Sequence, residues 1–131
     1  MNQRNYWWTG WAAIIAACLV ALGAFGAHGL KKHLTIDELQ IFETGIRYAW
    51  YHLIGLAICD FPAWTGRNTA SFKIPAYLFL AGFLMFSGSL IILSLSGIKT
   101  LGMVAPIGGL SWIIAWILIS IKLFKPEEKR S

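Results

Sequence analysis

The sequence predicts an all-α integral membrane protein: one bundle of four transmembrane helices with almost nothing outside the bilayer. Three observations carry this. Hydrophobic residues make up 57% of the chain and charged residues 13%, where an ordinary soluble domain carries roughly 25% charge. Mean hydropathy is +0.63. The charges also leave long gaps: residues 5–30 hold no Asp, Glu, Lys or Arg, nor do the 25 residues between Lys73 and Lys99 or the 22 between Lys99 and Lys122. A spanning helix needs about 20 mostly apolar residues to cross a hydrocarbon core about 30 Å thick. The 131 residues form a single domain, 1–131. Its helices are expected near 7–30, 36–61, 74–96 and 104–124, followed by a short basic C-terminal tail.

The first helix is read from its unbroken apolar run. Trp7, Trp8 and Trp11 suit an interfacial aromatic belt, as does Trp64 farther along. Ala13, Ala17, Ala21, Ala24 and His28 fall at helical spacing and form a stripe, with Gly23 and Gly26 nearby. Small residues let helix backbones approach, which matters in lipid because burial of apolar surface drives little association there. A cleaved signal peptide is the rival reading, because Arg4 precedes the run and 24–27 loosely resembles a cleavage site. The run exceeds the usual 7–15 residues of a signal core, which favours a retained helix.

The second helix carries the ambiguity. Asp37, Glu38, Glu43 and Arg47 lie in its first half, and 12 uncharged residues separate Arg47 from Asp60, short for a span. Thr35 followed by Glu38 predicts a capping box. With no Pro before Pro62, one helix about 39 Å long is expected, its first turns among the headgroups. Glu43 and Arg47 are four apart and can pair on one face while entering the membrane, where a pair costs less than two lone charges. The alternative is three spans plus an interfacial helix lying on the surface. Gly45, Tyr48, His52, Gly55 and Cys59 form this helix's packing stripe.

The third helix offers Ala81, Gly82, Ser87, Gly88 and Ser89 for close contact. In the fourth, Gly102, Pro106 and Gly109 share a face. Pro106 either kinks this helix or occupies the first turn of one starting near Ala105. Its preference for helix starts favours the second, with 96–103 as a short loop at the membrane edge.

With four spans, Arg4, Arg67, Lys73, Lys122, Lys125, Lys129 and Arg130 fall on one side and Lys31, Lys32, Arg47 and Lys99 on the other. The positive-inside rule then puts both termini in the cytoplasm, for a multi-pass protein of a bacterial inner (plasma) membrane. Three spans give two cations against nine, so the count does not choose between the topologies. The basic tail suits anionic headgroups, and nucleic acid is not implied. Cys18 and Cys59 lie in apolar helices without metal-type spacing. No metal and no cofactor is expected.

The stretches GAFGAHGL (23–30), F-x-T-G-x-R-Y-x-x-Y-H (42–52), F-S-G-S-L (86–90) and P-I-G-G-L (106–110) with the later Trp116 occur in that order. Together they resemble the small membrane proteins of domain of unknown function 423, also called uncharacterised protein family 0382. The resemblance covers about residues 10–120. It implies a membrane bundle of the bacterial inner membrane and supplies no activity. Many relatives have Tyr after G-S-L where this chain has Ile91, so no role passes to a hydroxyl there.

The candidate polar or ligand site is His28, Glu43, Arg47, Tyr48 and His52. Polar groups at membrane depth are costly and functional by default, and Arg47 near the interface suits a phosphate. Against that, each His can simply bond a neighbouring helix, and Glu43, Arg47 and Tyr48 can pin the second helix to the first. The helix-packing positions are Ala13, Ala17, Ala21, Gly23, Gly26, Gly45, Gly55, Gly88, Pro106 and Gly109. No hydrolytic motif is present, so no enzyme is predicted. A structural, accessory or lipid-associated membrane factor is expected, with membrane lipids, a second copy or another membrane protein as partner. A small oligomeric transporter or channel is the alternative, although the first helix lacks a carboxylate. A haem or redox protein using His28 and His52 ranks last, because the two are expected to lie far apart.

Overall fold

A computed structural model describes residues 5–66 and 69–125. It is an up–down–up–down bundle: α1 (Trp7–His28), α2 (Ile36–Ile58), a single-turn α3 (Phe61–Trp64), α4 (Lys73–Gly82) continued through a π-helical segment (Phe83–Gly88) into α5 (Ser89–Ser96), and α6 (Ala105–Phe124). Lys129 and Arg130 of the expected tail, and the cations Arg4 and Arg67, lie outside the described residues.

Local chemistry sets the helix ends. At α2 the capping box forms in full: Glu38 N–H donates to Thr35 Oγ1 at 3.2 Å and Thr35 N–H donates to Glu38 Oε2 at 2.8 Å. Two otherwise unpaired donors are thereby satisfied. α2 ends at Ile58, short of the expected 61, because Pro62 opens the separate turn α3. Gly97, at φ +71°, closes α5, its N–H donating to Leu93 O at 2.8 Å. Pro106 occupies the first turn of α6, where its missing N–H costs nothing. In the π segment the hydroxyl of Ser89 reaches Met85 O at 2.6 Å and Phe86 O at 3.0 Å, supplying a donor where the helical ladder is interrupted.

α1 pairs with α2, α2 with α5, and α4 with α6. Two contacts fix the antiparallel register of α1 and α2. Gly26 lies against the Phe42 ring near one end. At the other, Thr9 N–H donates to Asp60 Oδ2 at 2.7 Å. α2 therefore runs beside the whole of α1. In this register His52 stands level with the middle of α1, and Glu43 near its C-terminal end. The Lys122 ammonium lies 6.0 Å from the Phe72 ring centre, and Trp8 meets Tyr77 of the same α4 end, so the start of α1 and the end of α6 share one end of the bundle.

Three helical stretches are long and apolar enough to cross a membrane: Trp7–Lys32, Lys73–Ser96 and Lys99–Phe124. α2 is not among them, owing to the charges of its first half. In composition the chain thus matches three spans plus another helix, while α2 is packed into the bundle as its fourth member.

The core joins Trp8, Leu19, Leu53, Leu56, Phe79, Phe83, Trp112 and Ile119. One expectation is corrected here. Ala13, Ala17, Ala21, Ala24 and His28 are exposed rather than buried against a neighbouring helix. The buried face of α1 is Trp8, Ala12, Leu19 and Gly26. Gly26 must face α2 because a Cβ there would fall 2.6 Å from the Phe42 ring, and Trp8 stacks edge-on against Tyr77 at 5.2 Å. Those contacts rotate the stripe away from its neighbours. Trp8 is accordingly a core residue, whereas Trp7, Trp11 and Trp64 are exposed.

Candidate functional site

Among the described residues, three places with polar groups bear on function: the bundle centre, the end near Asp60, and a groove between α1 and α2.

At the centre, Trp112 is 1% exposed and its indole N–H donates to Phe79 O at 3.1 Å. The adjacent Ser111 hydroxyl donates to Leu78 O at 2.7 Å. These bonds tie α6 to α4 just before the π segment. The His52 ring lies flat on Trp112, centroids 3.8 Å apart and planes 7° apart. Its Nδ1 is 2.6 Å from Tyr48 O. A carbonyl only accepts, so Nδ1 carries the proton and Nε2 is left as an acceptor. Tyr48 packs on Phe86 at 5.1 Å and Tyr51 at 5.6 Å. Among the described residues no three His, Cys, Asp or Glu form a group that could hold a metal, and no contact joins His28 to His52.

At the second place, Asp60 is 2% exposed and accepts the Thr9 N–H in the first turn of α1. α1 has no side-chain cap from Tyr6. A carboxylate from the turn between α2 and α3 fills that role, satisfying an unpaired donor and opposing the positive end of the helix dipole. Asp60 escaped the sequence reading, although it is the sole acidic residue between Glu43 and Glu127. Asp60→Ala is expected to cost about 1–2 kcal/mol by stranding that donor, while Asp60→Asn retains an acceptor and most of the stability. The midpoint of unfolding in mixed dodecylmaltoside–SDS micelles measures both.

The third place is a groove of about 420 Å³ between the last turns of α1 and the first half of α2. Glu43 and Arg47 line it, with Trp50 and Tyr51 farther along α2. Gly23, Gly26 and Ala27 contribute from α1. Both charged side chains are exposed. The ion pair that their spacing allows is absent: no carboxylate oxygen of Glu43 lies within the 4.0 Å that defines one. Pairs in mobile surroundings contribute little, so holding two long side chains together brings small return. Arg47 lies about 6 Å farther along α2 than Glu43, four residues on. Tyr48 turns away from the groove, toward Phe86.

The glycines separate by role. A Cβ at Gly55 would strike the Phe79 ring, and one at Gly45 would lie 3.2 Å from Ser87 O. Gly88 and Gly109 meet nothing nearer than 3.5 Å, and Gly23 faces open space in the groove. Pro106 is exposed. The intimate contact on α6 is one residue away from Gly109, at Gly108, which abuts the backbone of Met85 and Phe86.

Comparison with known proteins gives the family. The family model described as protein of unknown function DUF423 matches residues 22–109. The chain belongs to the DUF423 family. The UPF0382 membrane protein YwdK of Bacillus subtilis (strain 168) is 42% identical over 113 residues, 86% of this chain and 92% of that protein. A UPF0382 membrane protein of Staphylococcus aureus (strain bovine RF122 / ET3-1) is 41% identical over 86% of this chain and 91% of its own. One from Staphylococcus haemolyticus is 37% identical over the same shares. No solved structure matches. The DUF423 match spans the groove, the π segment and the start of α6, and these relatives are named as membrane proteins.

Proposed function

We propose that this DUF423 protein is a non-enzymatic, lipid-associated factor of the bacterial inner membrane, working through the groove between α1 and α2. One observation carries the reading: Glu43 and Arg47 line that groove, and neither forms an ion pair with another of the described residues. The register puts Glu43 beside the last turn of α1 and Arg47 one turn farther along α2, which on this reading is the level of lipid headgroups and esters. An unpaired cation there is best satisfied by phosphate, which a guanidinium grips through two parallel N–H bonds. The reading takes α2 to cross with the other helices, and its packing along α1 from end to end supports this. Both termini are cytoplasmic by the excess of Lys and Arg on their side, so the groove opens to the outer leaflet. The centre is filled by Trp112, Phe79 and Phe83 and Glu43 faces outward, which favours lipid association over a transport path.

The test is retention of phospholipid through purification in mild detergent, read by native mass spectrometry. Wild type should carry bound phospholipid. Arg47→Ala should lose most of it. So should Gly23→Leu, which fills the groove at a position where an added Cβ meets nothing within 4 Å. Retention undiminished in both variants would reject the reading.

A further inference from the structure

We infer that the groove selects a zwitterionic phospholipid bearing a primary ammonium, of the ethanolamine type. The inference rests on the lipid-binding reading above and adds the part played by Glu43. A site for an anionic lipid or a free phosphate needs cations alone. This groove holds one of each sign, Glu43 and Arg47, with no ion pair between them to cancel the two charges. Residues four apart on a helix have Cβ atoms roughly 5–6 Å apart, and long side chains let their charges separate or converge. An ethanolamine ester carries its ammonium an ethylene linker away from its phosphate, so one headgroup reaches both.

The order of the charges with depth fits as well. Along α2, Glu43 is nearer the helix start and the membrane surface, and Arg47 lies about 6 Å inward. In a bilayer the phosphate sits deeper than the ammonium, next to the glycerol and acyl chains. The phosphate therefore meets Arg47 while the ammonium meets Glu43, with no inversion of the lipid. Between their levels Gly23 leaves open space beside Ile46, and Trp50, nearly one turn beyond Arg47, lies where an acyl chain would begin. A primary ammonium donates N–H bonds to a carboxylate; a trimethylammonium has none to donate.

The experiment offers delipidated protein in detergent an equal mixture of phosphatidylethanolamine, phosphatidylcholine and phosphatidylglycerol with the same acyl chains. Native mass spectrometry then counts what is bound. Phosphatidylethanolamine should be enriched about fivefold over each of the others, the scale of one partly solvated ion pair. Glu43→Gln should lower it to the level of phosphatidylglycerol, and Glu43→Asp should restore part of the preference. Equal binding of the three lipids by wild type would overturn the inference, as would an undiminished preference in Glu43→Gln. Either result leaves the lipid-binding reading standing so long as Arg47→Ala and Gly23→Leu still lose bound lipid. Circular dichroism of each variant confirms that its helices are intact.

Discussion

Replacing Trp112 with Ala is expected to lower the stability of the bundle by about 3 kcal/mol or more, the range for emptying a large buried aromatic site. In lipid the loss comes mostly from contacts rather than water: a void leaves its lining atoms without dispersion partners, and helices in a bilayer are held chiefly by packing. Trp112 touches several elements at once. Its ring lies under His52 of α2 at 3.8 Å, edge-on to Phe83 at 5.6 Å and against Phe86 at 5.0 Å. Its N–H satisfies Phe79 O. Trp112→Phe keeps most of the packing and loses that bond, so it should cost less, about 1–2 kcal/mol. Unfolding midpoints in mixed micelles decide the order. A Trp112→Ala variant as stable as Trp112→Phe would show that the ring is not the keystone of the core.

How much of this was visible in the sequence depends on whether the signal was local. The apolar runs between charges located the long helices, and Thr35 with Glu38 located the start of α2 correctly, because both are short-range. The rotation of α1 was not legible. Its residues are apolar on every side, and in lipid the outward face is as apolar as the inward one, so no polar face marks which is which. Ala13, Ala17 and Ala21 therefore looked as suitable as Ala12, Leu19 and Gly26. Asp60 and Thr9 are 51 residues apart, and Trp112 and Phe79 are 33 apart. Neither partnership leaves a trace in spacing. The π segment has no composition that announces it. At the candidate site, Glu43 and Arg47 were found from their charge alone, but the groove they line also needs Gly23, Trp50 and Tyr51. What makes Gly23 part of it is empty space, which no sequence displays.

The neighbouring glycines of α6 give the sharpest test of the packing. Gly108→Ala is expected to destabilise the protein by about 2 kcal/mol, within the range for overpacking a filled site. Gly109→Ala should be neutral or stabilise by up to about 1 kcal/mol, the helix preference of Ala over Gly. The opposite signs follow from what each new methyl would meet. At Gly108 it would fall 2.7 Å from the carbonyl carbon of Met85 and against the backbone N of Phe86. Those atoms belong to the π segment and cannot swing aside as a side chain can. At Gly109 its nearest neighbour is a Phe86 ring carbon at 3.5 Å, an ordinary contact. Consecutive residues differ by about 100° around a helix, which separates a backbone collision from a free surface. The cost at Gly108 should exceed that of Gly55→Ala, where the obstacle is the Phe79 ring, a side chain able to shift. Equal effects at 108 and 109 would mean that α6 does not cross the π segment in the register described. A stable Gly108→Ala variant would break the link between the π turn and the Trp112 bond to Phe79, because both depend on that close approach.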